Sequence, residues 1–157
     1  MSFKKLTSCL LAALYLAVFN TAGADILVNR LNDIEASATP GRQNDLVLDE
    51  RLCVGSNPPG PYSLQALGSG VNGGFSIHSG PHSLSYNAYI RDQFSRGSFN
   101  QLIAGTPLTG LQGRALNPNN RCRGNTTTLR VEFTKEALSS AVAGIYTGTM
   151  IITVIPE

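Results

Sequence analysis

Short runs of alternating apolar and polar residues recur along this chain, and clusters of Gly, Pro, Asn and Ser separate them. That pattern constrains the fold more than any other feature. Side chains alternate between faces of a strand, so each run reads as a strand with one buried face. Tyr62, Leu64 and Ala66 alternate with Ser63 and Gln65, and Phe75 and Ile77 follow after a loop at 68–74 read as a hairpin connection. Leu84, Tyr86 and Ala88 share one face of a strand over 84–90. Phe99–Ile103 reads as a short strand, and Ala104–Gly124 as irregular. Leu129, Val131 and Phe133 alternate against Arg130 and Glu132. Leu46, Leu48 and Leu52 predict one strand over 45–54, and Val47 and Val54 suggest a bulge at Asp49-Glu50 that switches the inward face.

The last run is the clearest. Ile145–Ile155 is rich in β-branched residues, with Tyr146, Met150, Ile152 and Val154 on one parity and Thr147, Thr149 and Thr153 on the other. The helical candidate is Lys135–Ala143, which is short enough to need packing to persist. Strands with turn signals about every 8–12 residues, and no strand–helix alternation, predict an all-β antiparallel sandwich or a barrel. With 157 residues, 42% hydrophobic and 14% charged, the chain fits one domain with a real core and is unlike a disordered chain.

The start of the chain is different. Lys4-Lys5, an apolar Leu6–Phe19 stretch and Ala22-Gly23-Ala24 form the three regions of a signal peptide, with cleavage expected before Asp25. The expected organisation is therefore a signal peptide at 1–24 and a single domain at 25–157. Its removal takes Lys4 and Lys5, so nine Arg and Lys135 face ten acidic residues and the +2 charge falls to zero. A neutral chain lacks the basic excess expected of a nucleic-acid binder. Cys9 leaves as well. Cys53 and Cys122 remain, and in an oxidising compartment they are expected to form one disulfide, the alternative being two buried thiols.

Residues capable of chemistry are sparse. His78 and His82 flank Gly80-Pro81 without a G-x-S-x-G nucleophile elbow, and read as surface imidazoles beside a turn. Gly68-x-Gly70 lacks the Lys-Ser/Thr of a phosphate loop. Asp45, Asp49, Glu50 and Asp92 fit no EF-hand spacing, so solvated charges are expected there. Asn125-Thr126-Thr127 is a formal glycosylation triplet, and Arg121 and Arg123 form a small basic spot around Cys122. No catalytic set, cofactor or metal site is expected, and the chain reads as a non-enzyme.

Taken in order, several motifs resemble a known family. They are Leu52-Cys53-Val54, Pro61-Tyr62-Ser63-Leu64, Gly68-Ser69-Gly70, Phe75-Ser76-Ile77, Leu84-Ser85-Tyr86 with Arg91-Asp92, Cys122, and Ala143-Gly144-Ile145-Tyr146-Thr147-Gly148 before the last strand. This order, over about residues 45–157, is similar to the spore coat protein U domain family, which includes subunits of archaic chaperone–usher fimbriae.

The resemblance implies an incomplete immunoglobulin-like sandwich that lacks its last strand. A periplasmic chaperone would fill the vacant position, handing over at an outer-membrane usher to a neighbouring pilin subunit. Tyr146, Met150, Ile152 and Val154 would line the strand-accepting groove. Ile26 and Val28 are either a donor strand for a neighbour or the domain's own first strand, the latter being favoured. On that reading the chain accepts a strand without donating one, as a terminal or accessory subunit of a surface fimbrium. The competing expectation is a self-contained secreted binding module, an adhesin for a glycan or host surface, with Tyr62, Tyr86, Tyr89, His78 and His82 as contacts.

Overall fold

The computed structural model describes residues 25–37, 44–94, 97–119 and 121–157. The expected signal peptide and the Thr39-Pro40-Gly41 turn lie outside the described residues. Eleven strands are present among them: β1 (Asp25–Asn29), β2 (Leu46–Asn57), β3 (Pro61–Leu67), β4 (Ser76–Ser79), β5 (His82–Ser85), β6 (Asn87–Asp92), β7 (Asn100–Gln101), β8 (Leu108–Gln112), β9 (Arg114–Ala115), β10 (Thr127–Phe133) and β11 (Ile151–Pro156). One short helix, α1 (Lys135–Ser140), follows β10.

The larger sheet runs β1-β2-β10-β6-β7, with β9 added to β2 as a parallel pair. The smaller sheet runs β11-β3-β8, and β4 and β5 form a separate hairpin. Every pairing other than β2–β9 is antiparallel. The result is an all-β sandwich. Its core draws on both sheets: Leu52 and Val54 from β2, Ala88 and Ile90 from β6 and Leu129 from β10 meet Tyr62, Leu64 and Ala66 from β3.

The alternation places these side chains. On β10, Leu129, Val131 and Phe133 are buried, and Thr128, Arg130 and Glu132 between them are not. On β2, Leu46, Leu48, Leu52 and Val54 all occupy even positions and one face. The β2–β10 register runs from Leu46↔Phe133 to Leu52↔Thr127 without a shift, so the bulge expected at Asp49-Glu50 is absent. Val47 simply faces outward and is 43% exposed.

Two connections differ from the expectation because the chain changes partner there. The run 84–90 is two strands. Its alternation persists through Leu84, Tyr86, Ala88 and Ile90, but at Tyr86 the chain passes from the β4–β5 hairpin to the larger sheet. The 68–74 loop likewise joins strands of different sheets and is no hairpin connection. The segment expected to be irregular contains β8 and β9. Gly110, with φ +75, and a register shift against β3 obscure the period of β8 in the sequence. At the far end of β10, Thr134 caps α1 by accepting from Ala137 N at 3.2 Å, and Asp45 Oδ1 accepts from Lys135 N at 2.8 Å. Ala137 and Leu138 then pack on Leu84, Val131 and Phe133.

Cys53 and Cys122 form a disulfide with a Cα–Cα distance of 5.9 Å, which ties β2 to the loop before β10. Nearby, the Val54 N–H donates to Thr126 Oγ1 at 2.8 Å, and the same hydroxyl donates to the Val54 carbonyl at 3.1 Å. A side chain thus continues the ladder where β10 has not yet begun. Thr126 is 1% exposed, so Thr126→Val should leave both Val54 groups unmatched without opening a cavity. The expected cost is about 1–3 kcal/mol in chemical denaturation, and no change in the midpoint would contradict this role.

Candidate functional site

The edge where β11 and β1 lie side by side is the candidate site. β11 pairs with β3 in the register Ile151↔Leu67 through Pro156↔Tyr62. Among the described residues it pairs with no strand on its other side. The Glu157 N–H donates to the Pro61 carbonyl at 3.1 Å. Antiparallel hydrogen-bonded pairs recur every second residue, so the odd positions of β11 bond to β3. The N–H and C=O of Ile152 and Val154 therefore point to the open edge, while their side chains point inward. Pro156 follows on the same edge and has no N–H to offer.

Met150, Ile152 and Val154 are half-buried against the main core, together with Ile26 and Val28. Tyr146 and Met150 pack on the second cluster, around Leu84, Val131 and Phe133, beside Leu46 and Leu48. The four expected groove residues thus divide between the two ends of one apolar edge, and Met150 touches both. Leu46 and Leu48 were missed as parts of this edge. Their alternation marks an inward face, but nothing in it shows that β1 stops at Asn29 and leaves that half of β2 without a strand paired on this side among the described residues.

The strand expected over 145–155 begins only at Ile151. Before it, Thr147 exchanges main-chain hydrogen bonds with His78 at 2.8 and 2.9 Å, so this stretch bridges the hairpin instead of β3. Gly148 makes the change of partner feasible. A Cβ there would lie 2.7 Å from both Ile77 Cγ2 and Ser69 Oγ. Ile26 and Val28 lie in β1, with Ile26 opposite Ser56 and Val28 opposite Val54 of the same chain.

The residues considered for chemistry are dispersed. Asp49 takes a bidentate bond from Arg130 at 2.7 and 2.9 Å, and that guanidinium holds its carboxyl below the usual range. Glu50 accepts from Asn32 at 2.7 Å, and Asp92 accepts from Phe94 N and Gln112 N, each at 2.8 Å. With Asp45 on the helix cap, the four carboxylates serve four different places. Among the described residues no group of three or more His, Cys, Asp or Glu could hold a metal ion.

His78 Nε2 lies 3.2 Å from Ser76 Oγ and 3.3 Å from the Ser69 carbonyl. With the proton on Nε2 the ring donates to the Ser69 carbonyl, and with the proton on Nδ1 it accepts from the Ser76 hydroxyl, so the tautomer sets which bond forms. His82 is exposed at the start of β5. Of the tyrosines proposed as surface contacts, Tyr62 is 0% exposed and cannot touch a ligand, whereas Tyr86 is half-buried, its ring stacked on Phe75 and tilted against Phe133. Tyr62 and Tyr86 fall on the inward parity of their strands. Tyr89 stands on the outward face of β6, donating to Glu132 at 3.0 Å.

No family model matches the chain. No curated protein matches it either. Among solved structures, it is similar to a chain of a chaperone–tip adhesin complex described as vital for synergistic activation of CFA/I fimbriae biogenesis. The match has a TM-score of 0.62 at 13% identity, over 85% of this chain and 42% of that one, so this chain spans less than half of that neighbour's length. At such identity the likeness is one of fold. The chain therefore shares an all-β sandwich fold with that neighbour, and the finer resemblance to the spore coat protein U domain family has no family match behind it.

Proposed function

We propose that this protein is an exported subunit of a fimbrial or pilus-type surface assembly, joined to its partners by an added β-strand. The observation that carries this reading is the open edge of β11. It offers main-chain groups of Ile152 and Val154 together with a line of half-buried apolar side chains. Strand addition uses both features: main-chain bonds supply affinity, and alternate side chains entering the apolar line supply specificity. An edge of this kind is otherwise prone to aggregation, so a chaperone that covers it in transit is the expected partner, with an usher and neighbouring subunits to follow. The disulfide fits folding in an oxidising compartment. With Ile26 and Val28 engaged in their own sheet, that segment is not free for a neighbour, which favours a terminal or accessory position.

The test is to export the chain with and without its periplasmic chaperone. Without it, yield and melting temperature should fall, and a synthetic peptide with alternating apolar residues should restore the melting temperature. Val154→Pro removes one N–H from the open edge without breaking the ladder to β3. It should abolish capture by the chaperone while the chain keeps its far-UV spectrum. Removal of Met150–Glu157 should abolish capture as well. Equal yield and equal stability of the lone chain, unchanged by the peptide, would overturn the reading.

A further inference from the structure

The outward face of the larger sheet carries chemistry that strand addition does not use. The β2–β10 and β10–β6 registers place Arg51, Thr128 and Arg91 in one row across three strands. Neighbouring strands lie about 4.8 Å apart, so the two arginine Cα atoms stand roughly 10 Å apart with a hydroxyl between them. The next row is Asp49, Arg130 and Tyr89. Arg130 is committed to Asp49 through both carboxylate oxygens. The Arg51 and Arg91 guanidiniums make no side-chain hydrogen bond among the described residues and act on Asp49 only through their charge.

Phe99 holds the arrangement in place. Its ring lies 4.5 Å from the Arg91 guanidinium carbon and 3.9 Å from that of Arg130. Stacking occupies one flat face of a guanidinium and leaves its in-plane N–H fork open, which is the geometry that binds carboxylate or sulfate through two bonds. Arg130 binds the Asp49 carboxylate, and the charges of Arg91 and Arg51 also act on it. Glu132 sits one row further along and accepts from Tyr89.

We propose that the Arg51–Thr128–Arg91 row binds the carboxylate or sulfate groups of an acidic polysaccharide. The three guanidiniums of these rows outnumber the carboxylates of Asp49 and Glu132, and this positive excess favours an anionic ligand. The neighbouring Tyr89, Asn87 and Gln101 supply hydroxyl and amide groups of the kind that match sugar hydroxyls. A nucleic acid would call for many more cations than this short row provides. A lipid surface would call for apolar groups to insert, and from the Val47–Glu132–Asn87 row to the Arg51–Thr128–Arg91 row the outward side chains are polar apart from Val47. The site stands on the sheet's outward face and does not depend on the strand-accepting reading of β11.

The exported chain is titrated with polygalacturonate and with heparin, with neutral dextran as control. Binding to an acidic chain, weakening with added salt, is expected, and none to dextran. The double variant Arg51→Ala/Arg91→Ala should lower affinity by about tenfold or more. Arg51→Lys/Arg91→Lys keeps the charge but loses the fork, and should remain several-fold weaker than the native chain. Lys135→Ala, on α1, should leave binding unchanged. All three variants should melt within about 2 °C of the native chain, since the altered side chains lie outside the core. The proposal is overturned if neither acidic polysaccharide binds or dextran binds equally well. It also fails if the double alanine variant binds as the native chain does, or if duplex DNA or anionic vesicles bind more tightly than either polysaccharide.

Discussion

Replacing Cys53 and Cys122 with alanine is expected to destabilise the fold by about 4 kcal/mol. The bridge closes a loop with a sequence separation of 69, so in the chain-entropy account most of the effect comes from restricting the unfolded chain. There is also a local contribution. Both cysteines are buried, and the segment leading into β10 is pinned to β2 by little more than the disulfide and Thr126. For a domain of this size the melting temperature should fall by roughly 10 °C. Thermal melts of the double variant, and of the native chain with and without reductant, measure it. A shift below about 2 °C would mean that the core alone holds the two segments together.

Tyr62 gives the second large effect, and it depends on pH. Its ring is 0% exposed at the centre of the core, and its hydroxyl meets Thr127 Oγ1 at 3.3 Å. Burial pushes the hydroxyl up to about 12, and the nearby Asp92 carboxylate acts in the same direction. A folded value raised above the unfolded 10 favours the protonated form in the native state. The stabilisation is therefore complete below about pH 10 and is lost as pH rises towards 12, by about 2–3 kcal/mol. Tyr62→Phe should flatten that alkaline loss, leaving a smaller slope from Tyr86, whose hydroxyl burial also raises. Tyr62→Ala should cost about 3–5 kcal/mol at neutral pH, because it empties the space between the sheets. Denaturant unfolding at pH 7 and pH 11 separates the two effects. An alkaline slope unchanged in Tyr62→Phe would rule out this residue as its source.

Much of the fold is legible because a strand's side-chain period is local. The inward residues of β3 and β10 follow from alternation alone, and the helix expected over Lys135–Ala143 begins where expected but ends at Ser140. Boundaries are less legible where one alternating run serves two partners. Tyr86 and Gly148 sit at such changes of partner, and neither interrupts the pattern enough to announce it. Of the candidate edge, Met150, Ile152 and Val154 show themselves by parity, whereas Leu46 and Leu48 do not.

What the sequence determines by itself is the class and the inward face of most strands, since a two-residue period selects which side chains are buried whatever the partner. What only the tertiary structure decides is adjacency. Whether β11 has a neighbour, where β1 ends along β2, and which arginines share a row all depend on register between segments distant in sequence. Register is set by long-range packing, and no local pattern encodes it.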